Sequence, residues 1–225
     1  MFKRYAIFYT PPPGPAAEFG AAWLGWDSAT GRRVAHPEIP GLDVAALTEV
    51  PRRYGFHGTL KAPFRLAEGA REAELVEAVA RFAEAHAAVT LDGLAVGHGH
   101  RFVAMRPVGD TGALNRLEAA IVRAFDPFRA PLGEADIARR RRAGLSERQD
   151  RQMLEWGYPY VFDDFHFHLT LSGPVEEGEG RHIVAALEPR LPETLRGPFT
   201  LDAITLMGED AEGMFHQIHR HALTG

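Results

Sequence analysis

The chain of 225 residues contains no cysteine. That removes disulfides, thiolate metal ligands and cysteine nucleophiles together. It is also what a cytoplasmic location leads one to expect. Long apolar runs are missing too. A membrane-spanning helix needs about 20 apolar residues in succession, and no stretch approaches that length. The opening MFKRYAIFYTPPPG does not read as a signal peptide, because its apolar part, Tyr5 to Tyr9, is short and is followed by Pro11-Pro12-Pro13. Basic charge is not in excess: 25 Lys and Arg face 30 Asp and Glu, a formal net charge of −5. Broad, sequence-independent nucleic-acid binding draws on basic surface and is disfavoured, whereas a local basic cleft for one phosphate is not. The remainder is ordinary for a globular protein, with 45% hydrophobic and 24% charged residues. The length supports one domain or two small lobes with ample core.

One four-residue pattern occurs twice. His57-Gly58-Thr59-Leu60 lies within YGFHGTLKAPF, and His168-Leu169-Thr170-Leu171 lies within FHFHLTLSGP, about half the chain further on. Each sits in a short β-type run followed by Gly or Pro. Strand side chains alternate faces, so His57 and Thr59 share one face, as do His168 and Thr170. Leu60, Leu169 and Leu171 point the other way, towards a core. A lone H-x-T-L is an ordinary buried strand. Two copies in matching surroundings carry more information.

The surroundings do match. After the first copy comes a helical pattern over 71–86, with Leu75, Val76, Val79 and Phe82 as its apolar stripe. Strand-like runs follow at 89–96 and 101–106. After the second copy comes a helical pattern over 182–191, then strand-like runs at 199–207 and 214–221. Both units read strand, helix, strand, strand, an internal duplication at a period too long for a solenoid. The expectation is an α+β fold, with two antiparallel β-sheet lobes around a central cleft and helices outside.

The rest of the chain is arranged around this duplication. Residues 3–9 read as a strand with Tyr5, Ile7 and Tyr9 on one face and Arg4, Ala6 and Phe8 on the other. A helix is expected over 15–24, with proline in its first turn. Residues 27–48 are punctuated by Gly and Pro and read mostly as loop. Leu114, Leu117, Ile121 and Phe125 mark a linker helix, and 133–157 reads as an insertion between the units. Ser146 to Gln149 fits a capping box that starts a helix after Ser146. Arg139–Arg142 reads as a solvated helix face, with a phosphate-facing lid as the alternative. The domain expectation is a single bilobal unit over 1–225, with a first motif lobe at 49–107, linker and insertion at 111–157, and a second motif lobe at 158–225.

Further residues are candidates for substrate contact. Lys61 lies two positions after Thr59, so strand parity places it on the cleft face as a phosphate contact. Tyr54 precedes the first motif. Tyr160, at the entrance to the second, could stack on a base or sugar. His166 shares parity with His168. This makes a His-x-His of the kind some metal hydrolases use, but Asp163 and Asp164 are adjacent and do not complete a ligand set. No metal and no cofactor are expected. His98 and His100 fall at a Gly-rich turn, and His219 and His221 on a terminal strand edge.

The paired motifs resemble those of the two-histidine (2H) phosphoesterase superfamily, defined by two H-x-[T/S]-hydrophobic motifs in a pseudo-symmetric, duplicated α+β fold. The flanking YGFHGTLKAPF and WGYPYVFDDFHFHLTLSGP are similar to one subgroup, a domain of unknown function often encoded with phosphonate-utilisation genes. The resemblance implies 2′,3′-cyclic phosphates and related phosphodiesters as substrates. Two imidazoles can supply a general base and a general acid near neutral pH. Thr59 and Thr170 hydroxyls can donate to the non-bridging oxygens, where charge grows in the transition state. Three readings follow. The first is a metal-independent phosphodiesterase acting on a small cyclic phosphate or nucleotide, for example a ribose cyclic phosphate from phosphonate breakdown. The second applies the same chemistry to RNA 2′,3′-cyclic ends, including ligation in reverse. The third is a non-catalytic nucleotide- or phosphate-binding module. The sequence leaves the oligomeric state open.

Overall fold

A computed structural model describes residues 2–225. The chain opens with β1 (Arg4–Tyr9) and α1 (Pro15–Leu24). The segment expected to be mostly loop, 27–48, holds most of a small hairpin, β2 (Trp26–Asp27) and β3 (Arg32–Arg33), and a single-turn helix, α2 (Val44–Leu47); a second single-turn helix, α3 (Glu49–Arg52), follows it. The first unit follows as β4 (Gly58–Phe64), α4 (Glu72–Glu84), β5 (Val89–Leu91), β6 (Gly93–Gly99) and β7 (Phe102–Val108). Next come α5 (Gly112–Ala124), α6 (Glu134–Arg141) and α7 (Glu147–Trp156). The second unit is β8 (Leu169–Thr170), α8 (Glu177–Leu187), β9 (Phe199–Leu201), β10 (Ala203–Glu209) and β11 (Phe215–Ala222).

Local chemistry explains several boundaries. Proline opens α1, where a missing N–H costs nothing, and the left-handed Gly25 closes it. The capping box of α7 is formed in both directions: Ser146 Oγ accepts from the Gln149 N–H at 3.2 Å, and Gln149 Oε1 accepts from the Ser146 N–H at 3.0 Å. On β1, Tyr5, Ile7 and Tyr9 join the main core, while Ala6 and Phe8 pack with Met207 and Phe215 on the opposite face. The alternation expected of a strand buried on both faces is therefore present.

The main sheet has seven strands among the described residues, in the order β11-β10-β1-β4-β8-β7-β6. Every neighbouring pair is antiparallel. The two motif strands meet at its centre through a single pairing, Gly58 with Leu169. The sheet is thus two antiparallel halves, of four and three strands, joined at a narrow seam. The halves exchange sequence. Strand β4 sits with β1 and the C-terminal hairpin β10–β11, whereas β8 sits with the β6–β7 hairpin of the first unit. The ranges 49–107 and 158–225 each supply strands to both halves, so neither half is continuous in sequence. Helix α4 covers β10 and β11, and α8 covers β6 and β7.

A pseudo-two-fold axis passes through the seam. Gly58 and Leu169 hold the same place in their motifs and face each other. Thr90 and Thr200 likewise pair across the short β5–β9 ladder, with hydroxyls 3.1 Å apart. The runs expected at 89–96 and 199–207 are each split, at Asp92 and Asp202. The first piece of each pairs across the axis, and the second joins the main sheet.

The core lies on one face of the sheet. Leu75, Val79 and Phe82 of α4, Leu114, Leu117 and Ile121 of α5, and Ile183 and Leu187 of α8 pack there with Ile7, Leu60, Leu169 and Leu171. Burying each such side chain is worth about 1.5–3 kcal/mol. Among the described residues no helix is long and apolar enough to cross a membrane.

Candidate active site

Both motif histidines are held by the backbone two residues earlier. His57 Nδ1 lies 2.9 Å from the Gly55 carbonyl oxygen, and His168 Nδ1 lies 2.8 Å from that of His166. A carbonyl only accepts, so each Nδ1 carries the proton and each neutral ring keeps its lone pair on Nε2. Gly55 is left-handed, with φ 71°, and an added Cβ would lie 2.8 Å from Ser28 Oγ. A side chain there would disturb the turn that aims this carbonyl. Gly58 lies at the seam, where a Cβ would meet the Phe167 ring at 2.3 Å. The small residue inside the first motif is needed for the close approach of β4 and β8.

Aromatic walls set the electrostatics. The His57 ring lies 4.0 Å from Phe8 and 5.7 Å from the stacked Tyr54, centroid to centroid. Burial lowers its pKa from 6.5 to about 4, only partly offset by the Gly55 hydrogen bond, and His168 pushes in the same direction. Burial also holds the His168 pKa below its ordinary value, with Arg106, His166 and His100 as like-charge neighbours and the His166 carbonyl opposing. The neutral His57 Nε2 accepts from Thr59 Oγ1 at 3.1 Å. Phe102 stands 5.4 Å from the His168 ring.

Tyr54, His57, Thr59, Phe102 and His168 line one cavity of about 850 Å³, within the size range of small-molecule sites. His57 and Thr59 enter from one half of the sheet, His168 and Thr170 from the other. Residues of α3, the β6–β7 turn and α6 form the walls.

Residues 59–216 match a family described as "Protein of unknown function (DUF1045)". The chain belongs to this family. It is 37% identical over 218 residues to "Ribose 1,5-bisphosphate phosphokinase PhnN" of Janthinobacterium sp. (strain Marseille), covering 93% of this chain and 48% of that protein. A protein of the same name from Laribacter hongkongensis (strain HLHK9) is 38% identical over 175 residues, covering 77% of this chain and 41% of that one. The chain thus spans less than half the length of the curated relatives it matches. A crystal structure of E. coli LigT complexed with 3'-AMP aligns over 100% of both chains, at a TM-score of 0.48 and 17% identity. This DUF1045 member has the duplicated antiparallel architecture that the two-histidine phosphoesterase resemblance implied. Its two halves match across the seam.

The structure brings His57, Thr59, His168, Thr170 and Tyr54 to one cleft. Lys61 is corrected. The β1–β4 register shifts between Phe8↔Thr59 and Ile7↔Lys61, a β-bulge that breaks strand parity. Lys61 therefore shares a face with Ile7 and is buried beneath α5, its Nζ donating to the Val122 carbonyl at 3.0 Å and lying 3.6 Å from Asp126. Burial lowers its pKa to about 8, despite Asp126. Tyr160 is also corrected: it is 39% exposed and off the cleft, while Tyr158 lines it. His166 is exposed and lends the cleft only its carbonyl.

Sequence reading missed Arg4, His100, Arg101 and Phe102. Arg4 was on the right face, with Phe8, but nothing tied that face to His57. His100 and Arg101 form the β6–β7 turn with φ 52° and 67°, the paired positive values of a tight hairpin turn. Two non-glycine residues held there carry strain, which sequence does not advertise. Arg139 and Arg140 line the cleft from α6, so part of the arginine run faces inward.

Proposed function

We propose that this protein is a phosphodiesterase that opens a cyclic phosphate on a small sugar or nucleotide. One observation carries the reading. Two H-x-T motifs related by a pseudo-two-fold axis face one cavity, each imidazole fixed in the same tautomer with its lone pair on Nε2, which in His57 accepts from the Thr59 hydroxyl until substrate takes that donor. One neutral imidazole takes a proton from the attacking water. The other, protonated, gives a proton to the departing ring oxygen. Burial favours the neutral form of both in the free protein, and the negative charge of a bound phosphodiester favours protonating one of them. Thr59 and Thr170 donate to the non-bridging oxygens. No step needs a metal ion.

The relatives' name supplies a substrate class. They are named for a ribose bisphosphate, and this chain matches less than half of each. We carry over the ribose phosphate and leave the phosphokinase activity to the whole relatives. The chain's lysines, Lys3 and Lys61, do not follow a glycine, so the G-x-x-x-x-G-K-[ST] phosphate loop does not occur in it. The substrate proposed is a cyclic phosphate on a ribose-like sugar.

A screen of cyclic phosphates against the purified protein tests this. His57→Ala and His168→Ala should each lower kcat by about 10²–10⁴, the usual worth of a positioned acid or base. The double variant should lose far less than the product of the two, since the pair acts as one unit. Product binding without turnover of any cyclic phosphate would leave a binding module in its place.

A further inference from the structure

A second cavity of about 440 Å³ adjoins the cleft. Its walls carry seven lysine or arginine side chains against two carboxylates, in a chain of net charge −5. Most of these cations are already engaged. Arg4 pairs with Glu209, Arg65 and Arg139 with Asp136, and Arg129 and Lys61 with Asp126. Arg140 differs. Its Nε is buried and finds no hydrogen-bond partner among the described residues. Its guanidinium lies 5.1 Å from the centroid of the Tyr158 ring, and Asp136, one turn earlier on α6, is taken by Arg65 and Arg139.

A buried donor without an acceptor costs free energy that an anion would recover. Arg140 also bridges the two spaces: with Arg4, Arg139 and Tyr158 it lines both. The histidines and threonines line the cleft alone, Lys3, Lys61, Arg65 and Arg129 line the adjoining cavity alone, and Arg4, Arg139 and Arg140 stand where the two meet. The fork of a guanidinium matches the oxygens of a phosphate and gives strong, charge-assisted hydrogen bonds. Burial and the nearby Arg139 and Arg4 charges destabilise the Arg140 cation, and a dianion relieves that cost.

We infer that the basic cavity, with Arg140 as its unpaired donor, holds a second phosphate on the substrate, a monoester separate from the phosphodiester that is cleaved. The inference rests on the phosphodiesterase reading and narrows it to sugar or nucleoside cyclic phosphates that also carry a terminal phosphate. A cyclic phosphate with an uncharged far end leaves Arg140 unpaired and binds less well.

The test compares two ribose cyclic phosphates that differ only in a phosphate on the C5 hydroxyl. Wild-type protein should prefer the phosphorylated one in kcat/KM. Arg140→Gln should reduce that preference about 10- to 100-fold, the worth of one charge-assisted hydrogen bond. Arg140→Lys, which keeps the charge, should retain part of it, separating recognition from a folding defect. Ribose 5-phosphate, titrated calorimetrically, should bind wild type and His57→Ala alike and bind Arg140→Gln about 10- to 100-fold more weakly, for the same reason. An unchanged preference in Arg140→Gln overturns the inference and leaves the phosphodiesterase reading standing. Turnover of neither substrate, with ribose 5-phosphate binding still dependent on Arg140, overturns the phosphodiesterase reading and leaves the anion subsite standing. If ribose 5-phosphate does not bind, or if inorganic phosphate binds through Arg140 while the preference stays unchanged, the subsite for a substrate phosphate is overturned.

Discussion

His57 should titrate far below an ordinary histidine, and Tyr54 should be part of the reason. Its imidazole lies between Phe8 at 4.0 Å and Tyr54 at 5.7 Å, and burial lowers its pKa from 6.5 to about 4. That shift makes charging His57 in the folded protein about 3 kcal/mol harder than in the unfolded chain. At pH 7, roughly one molecule in a thousand carries the charged ring, against about one in four for an unperturbed histidine. Because the folded pKa lies below the unfolded one, the full contribution to stability is present above about pH 6.5 and is lost as pH falls towards 4. Tyr54→Ala removes one wall and admits water to the ring. The His57 pKa should move back towards its ordinary value, and the acid-side loss of stability should shrink with it. Imidazole NMR across pH 3.5–8 reads the first effect, and urea unfolding at about pH 5 and pH 7 reads the second. If wild-type His57 titrates near 6.5, or if Tyr54→Ala leaves its titration in place, the account of this site as a desolvated base is wrong.

Three further outcomes follow from the same structure. Lys61→Met should reduce unfolding free energy by roughly 1–3 kcal/mol, because it removes a charge-assisted bond to Val122 beneath α5. The KM for a singly phosphorylated cyclic substrate should stay within about twofold, since uniform binding in the cleft is untouched; a tenfold rise without loss of stability would return Lys61 to the cleft. The Glu118 carboxyl is buried and raised to about 7, chiefly by burial, with Lys61 and Arg123 charges opposing. Its folded pKa lies above the unfolded one, so stability falls as pH rises from about 4.5 through 7. Glu118→Gln should therefore stabilise by up to about 3 kcal/mol at pH 8 and by little at pH 4, a difference measurable by thermal unfolding at both. Turnover in the presence of excess chelator should equal turnover without it; activity that vanishes on chelation and returns with one divalent ion would refute the two-histidine mechanism.

Much of the candidate site was legible in the chain because it depends on local rules. Period-2 alternation put His57 with Thr59 and His168 with Thr170, and placed Leu60, Leu169 and Leu171 behind them. Helical spacing located α4 and α5, and Ser146 with Gln149 marked the start of α7. The repeated order of elements exposed the duplication. Other features were decided by partners distant in sequence. Parity put Lys61 in the cleft, but pairing with β1 introduced a bulge that turned it under α5. Which hairpin joins which motif strand is a choice between alternative long-range pairings, and the observed exchange gives β4 the C-terminal hairpin and β8 the β6–β7 hairpin. Tyr158 rather than Tyr160 faces the cleft, where Arg140, from the insertion, packs on its ring. Arg4, Arg101 and Arg140 come from a first strand, a hairpin turn and an inserted helix, and converge only once the sheet has closed. Alternation and capping act between near neighbours and so are written locally, whereas register, strand exchange and the meeting of charges are set by packing free energy summed over the whole sheet.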